Sequence, residues 1–194
     1  MLLDSCEHEI LQKCPKAILV LAGSGVDAAA TQERVDASPV LRGRVKLTGF
    51  LERSALDPIY AASDLFVFPS RTETQGMVLG EALAAGTPCV VVNEGGAPET
   101  VTDGVDGIRV PNDPKIFGDA VLSLLDDNDR RDRMGAAGIE LAVCRTPQRM
   151  AQRVMDVYSI AEAHASTRDH RAASRLAVAR YTIENSRIAA LFRR

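Results

Sequence analysis

In the stretch PSRTETQGMVLGEALAAGTP, residues 69–88, Glu73 and Glu81 are separated by seven residues across a turn that runs into a helix-like segment. An ionised carboxylate only accepts hydrogen bonds, and its oxygens suit vicinal hydroxyls, one O–H to each. Between the acids, Gly76 lets the chain come close to a ligand as the helix MVLGEALAAG begins, and the first N–H groups of such a helix can hold an anion such as a diphosphate. Acid, amides, acid therefore reads as sugar, diphosphate, ribose. Spacing alone leaves a second reading open, with Glu73 a solvated loop residue and Glu81 a residue of the helix surface.

The elements around this stretch must bring such groups to one place. The runs AILVLAG (17–23), VKLTG (45–49), DLFVFPS (64–70), PCVVVN (88–93) and GIRVP (107–111) are short, apolar and closed by turn-forming residues, as strands covered on both faces are. Helix-like stretches lie between them: VDAAATQERVDAS, RSALDPIYAAS and MVLGEALAAG. Strand and helix in alternation predict an α/β fold, a Rossmann-like doubly wound parallel sheet followed by C-terminal helices. In such a sheet ligands sit beyond the carboxyl ends of the strands, where the segment 69–76 lies. Thr146 and Pro147 predict a cap and first turn, with Met150, Val154, Val157 and Ala161 following at helical spacing.

The 194 residues, 46% hydrophobic and 25% charged, suit a domain of fair size whose core is built from Ala, Val, Leu and Ile, since aromatics make up 4%. Cys6, Cys14, Cys89 and Cys144 have neither zinc-site nor disulfide-framework spacing, Cys89 falling in an apolar strand. No metal site is expected. The chain has no apolar run of membrane-spanning length and no signal-peptide pattern at its start, so a cytoplasmic location is expected. The net charge of −3 is uneven, with +5 over residues 164–194 and −8 over residues 1–163. That difference divides the chain into a domain over 1–163 and an arginine-rich, helical tail over 164–194, readable either as a solvated face or as a peripheral contact with anionic membrane. Too few aromatics are interleaved with the arginines for nucleic-acid binding. His8, His164 and His170 lie outside every motif.

The E-x7-E pair within FVFPSRTETQGMVLGEALAAGTPCVV, with LVLAGSG, VKLTGF, DLFVFPS, GGAPETV and VDGIRVP in order, closely resembles the donor-binding domain of retaining glycosyltransferases of the GT-B fold, the family 4 group. The resemblance covers roughly residues 5–163. It implies that Glu73 contacts hydroxyls of a donor hexose beside the reacting face, as the catalytic candidate, and that Glu81 binds the nucleotide ribose. Amides of Gln75, Gly76 and Met77 would approach the donor sugar and diphosphate, with the side chains of Met77 and Leu79 in the core. Gln75 stands where the family often has an aromatic residue. Gly23 and Gly25 form a glycine-rich turn after a strand, either structural or donor-binding. Thr48 lies in a segment that would give backbone contacts to the base, and Gly95 and Gly96 either offer amides to the donor or serve a loop that needs positive φ.

By the same resemblance, the chain is the nucleotide-sugar-binding half of a hexosyltransferase, acting with retention on an acceptor hydroxyl of a lipid, a saccharide or a small molecule, with no cofactor and no metal. The alternative is a non-catalytic nucleotide-sugar-binding or assembly module paired with a separate acceptor-domain chain. The acceptor domain, the first strand of the donor domain and the loop whose arginine and lysine neutralise the diphosphate are expected to lie outside these residues. Without that strand, AILVLAG and DLFVFPS face a gap. Arg71, turned inward, would replace part of the lost charge.

Overall fold

The computed structural model describes residues 1–74 and 76–165. Gln75 and the chain beyond Ala165 lie outside them, and with these the expectations placed on the Gln75 amide and on the arginine-rich tail. The described chain falls into two compact units, Met1–Val143 and a second that starts at Cys144.

The first unit opens with α1 (Leu2–Ser5), a π-helical turn (Cys6–Ile10) and α2 (Leu11–Lys13), in which Cys6, Ile10 and Leu11 are buried. The strands are β1 (Leu19–Ala22), β2 (Val45–Gly49), β3 (Phe66–Phe68), β4 (Cys89–Val92) and β5 (Gly107–Val110). Between them run α3 (Ala28–Ala37), α4 (Arg53–Ala62), α5 (Met77–Ala84) and α6 (Ala97–Thr100), and α7 (Pro114–Leu125) and α8 (Asn128–Val143) follow. All strand pairs are parallel, as the alternation of strand and helix predicts.

The strands form two separate sheets, β1–β2 and β3–β4–β5. Thus β1 pairs only with β2 and β3 only with β4, and the two strands expected to flank a missing one each keep an unpaired edge among the described residues. Ile18 and Val20, at and within β1, are correspondingly 61% and 42% exposed.

β4 shows why the three-stranded sheet is stable. Its side chains alternate between faces, so Val90 and Val92 enter a core with Phe117 and Leu124 of α7, while Cys89 and Val91 enter another with Leu79 and Leu83 of α5. All four β4 residues are fully buried, and each valine contributes roughly 1.5–3 kcal/mol over an exposed position. α7 starts where Asp113 accepts the N–H groups of Lys115 and Ile116, both at 2.9 Å, ahead of Pro114. α5 stops at Gly86, where Thr87 N–H bonds to Ala82 O at 2.9 Å and Gly86 N–H to Leu83 O at 3.0 Å. That stop turns the chain directly into β4.

In the second unit, α9 (Pro147–Ala165) begins behind Thr146, whose hydroxyl accepts the N–H of Arg149 at 3.4 Å. No described helix is long and apolar enough to cross a membrane.

Candidate functional site

Because β3 and β4 are adjacent and parallel, the loops after them emerge side by side. The first holds Glu73 and the second Gly95 and Gly96. They are joined through the backbone: Gly96 N–H donates to Glu73 O at 2.7 Å. Space between the loops excludes any side chain at the two glycines. A Cβ on Gly96 would stand 2.5 Å from Thr74 O, and one on Gly95, where φ is +63°, would stand 2.7 Å from Arg71 O. Positive φ therefore accounts for Gly95, and close approach for Gly96. The Gly96 amide that could have turned to a ligand is engaged by Glu73. At the rim, Arg71 Nε pairs with Glu94 Oε2 at 2.7 Å. Arg71 is thus directed to the neighbouring loop.

The half-buried Glu73 side chain folds back over its own turn. Its Oε1 accepts the N–H groups of Thr74 at 2.9 Å and Gly76 at 3.0 Å. Gly76 then caps α5 with φ +64°, and a Cβ there would lie 2.9 Å from Thr100 Oγ1. A carboxylate oxygen held by converging amides at a helix start shows that this turn suits an anionic oxygen.

Glu81 lies on α5 and its side chain is only 17% exposed. Its Oε1 takes a hydrogen bond from Arg53 Nη1 at 2.6 Å, and its Oε2 one from the Tyr60 hydroxyl at 3.4 Å. Both donors come from α4, where Arg53, Leu56 and Tyr60 recur at i, i+3 and i+7. Tyr60 is buried, its ring packs edge-on to Phe66 with centroids 5.5 Å apart, and its carbonyl accepts the Thr87 hydroxyl at 2.6 Å. Burial, with the adjacent Glu81 charge, pushes the Tyr60 phenol up to about 12. It is a neutral donor at ordinary pH. Neither Arg53 nor Tyr60 stands out from the motifs in the sequence; their only signal is the shared face of α4.

Met77 departs from the expected core position. It is the first residue of α5 and is 64% exposed, while Leu79, two residues on, is fully buried. The helix start projects its first side chain outward, and the next turn meets the sheet. Gly23, Gly25 and Thr48 lie at or beyond the carboxyl ends of β1 and β2. Two hydrogen bonds described there join those strands: Gly23 N–H donates to Gly49 O at 2.9 Å, and the Thr48 hydroxyl to Leu21 O at 3.5 Å. Glu73, Gly76, Gly95 and Gly96 thus form one cluster, with Glu81 further along the same helix.

Residues 1–127 match the family model described as glycosyl transferases group 1. The chain belongs to that family. Among its relatives, the D-inositol 3-phosphate glycosyltransferase of Corynebacterium diphtheriae is 35% identical over 156 residues, covering 77% of this chain and 36% of that protein. A GDP-mannose-dependent monoacylated alpha-(1-6)-phosphatidylinositol monomannoside mannosyltransferase of Corynebacterium glutamicum is also 35% identical, covering 67% of this chain and 35% of that protein. The chain therefore spans about a third of the length of the curated relatives it matches. In three dimensions it is similar to Anabaena Alr3699/HepE, solved in complex with UDP, with a TM-score of 0.69 and 25% identity over 81% of this chain and 44% of that one. The fold is that of the C-terminal domain of GT-B glycosyltransferases.

Proposed function

We propose that this chain is the donor-binding part of a hexosyltransferase that moves a sugar from a nucleoside diphosphate to an acceptor hydroxyl with retention. The observation that carries the reading is Glu81, a carboxylate held on both oxygens by α4 and set within α5, the helix that starts at the anion-suited turn of Glu73 and Gly76. Glu81 accepts the ribose hydroxyls. Glu73 orients the donor hexose, and the α5 N-terminus faces the diphosphate, the Thr74 and Gly76 amides being held by Glu73 itself.

In the transfer step the bond between the anomeric carbon and the diphosphate oxygen breaks, and a bond from the same face to the acceptor oxygen forms. The acceptor proton passes to the leaving diphosphate. Charge developing on that diphosphate is stabilised by donors fixed beforehand, with no metal or cofactor in the step. The names of the relatives support an enzyme over a non-catalytic module, and they make a phosphorylated inositol the first acceptor to try. UDP and GDP are both candidate nucleotides, from the solved complex and from the mannosyltransferase. A cytoplasmic site of action fits such a donor.

Calorimetric titration of the chain with UDP and GDP tests the reading. Binding of one of them is expected, weakened in Glu81→Ala by about 1.5–3 kcal/mol, the contribution of a hydrogen bond to a charged group. Glu81→Ala binding as tightly as the parent chain would remove Glu81 from the site.

A further inference from the structure

We propose that Tyr60 and Arg53 are positioning residues that make Glu81 selective for a vicinal diol; the inference rests on Glu81 being the ribose acceptor. A carboxylate has about four lone-pair sites, two on each oxygen. Arg53 Nη1 occupies one site on Oε1 and the Tyr60 hydroxyl one on Oε2, at 2.6 and 3.4 Å. One site remains on each oxygen. Two hydroxyls on neighbouring carbons fill that remainder together, and a single hydroxyl leaves one oxygen unfilled.

The two donors are anchored differently. Tyr60 is 8% exposed and held at its ring by Phe66 and at its carbonyl by Thr87, so its hydroxyl has a fixed direction. The Arg53 side chain is 67% exposed, and solvent competes for its guanidinium. Arg53 therefore supplies the short, charged bond at 2.6 Å and Tyr60 a longer one of fixed direction at 3.4 Å, and the two together set the plane of the carboxylate. α4 thereby takes part in recognition without touching the ligand.

The test compares each nucleoside diphosphate, UDP and GDP, with its 2′-deoxy analogue, by calorimetry on the parent chain and on Tyr60→Phe, Arg53→Ala, Arg53→Lys and Glu81→Ala. Phenylalanine keeps the ring contacts and removes only the hydroxyl. The parent chain is expected to prefer the ribonucleotide. Tyr60→Phe should cut that preference about three- to tenfold, as for one hydrogen bond lost, while binding of the deoxy analogue stays within about twofold. Arg53→Ala should act in the same direction, and Arg53→Lys should restore part of the preference. Equal weakening of both nucleotides in Tyr60→Phe, or an unchanged preference, would overturn the positioning role, while a preference lost in Glu81→Ala would leave the reading of Glu81 intact. No ribose preference in the parent chain, or one that survives Glu81→Ala, would overturn both.

Discussion

The Gly96 amide donates to the Glu73 carbonyl at 2.7 Å, so the loops that follow two neighbouring parallel strands are joined through their backbones. The Gly95–Gly96 turn packs against the backbone of the Glu73 loop with no room for a side chain. The stability of one loop is therefore built into the position of the other.

Gly96→Ala is expected to cost about 1–3 kcal/mol, since its Cβ would meet backbone atoms that belong to the Glu73 loop and cannot rotate away. Gly25→Ala, with nothing within 4 Å of its Cβ, should cost little. Urea denaturation of the two variants gives the comparison. Equal midpoints would mean that the loops separate at no cost.

Glu73→Gln and Glu73→Ala should part company. Glutamine keeps an acceptor oxygen for the Thr74 and Gly76 amides, whereas alanine leaves both without that acceptor, at a cost of about 1 kcal/mol. Both should lower sugar transfer while sparing affinity for the free nucleotide, because the lost contact is to the hexose. Denaturation midpoints and transfer kinetics measure the two effects separately.

Tyr60 makes stability fall at high pH. Its folded-state value, raised to about 12 by burial and then by Glu81 and Asp57 against the opposing charge of Arg53, exceeds the usual 10 of an exposed phenol. A raised value favours the protonated fold, so the contribution is complete below pH 10, declines as pH rises, and is lost by about 12, on the order of 2 kcal/mol in all. Tyr60→Phe should remove that decline. Unfolding measured across this pH range in both proteins gives the answer.

Thiol labelling should divide the cysteines. Cys6 is buried, which pushes its thiol up to about 11, and Cys89 is raised further by complete burial and by the Asp106 charge. Thiolate is the reactive form. Iodoacetamide should modify the half-exposed Cys14 and Cys144 in the native protein and reach Cys6 and Cys89 only after unfolding, as read by peptide mass.

The sequence by itself determined the strands and helices and pointed to the acids. Val90, Val91 and Val92 read as a strand covered on both faces because the burial preference of each residue is a local property, and the structure buries all three. Glu73 and Glu81 were legible because only a turn and the start of one helix separate them, a distance that spacing can express. The side-chain partners of Glu73 are amides of its own turn, whereas those of Glu81 were decided by the tertiary structure alone. Arg53 and Tyr60 lie 28 and 21 residues before Glu81 and reach it only because α4 packs beside α5. The contact of Gly96 with Glu73 depends on β4 lying next to β3, and the outward Met77 on the angle at which α5 leaves its cap. The division into two sheets has the same origin, since backbone edges carry the same N–H and C=O groups whatever the side chains, and only the placement of neighbouring strands decides which edges pair.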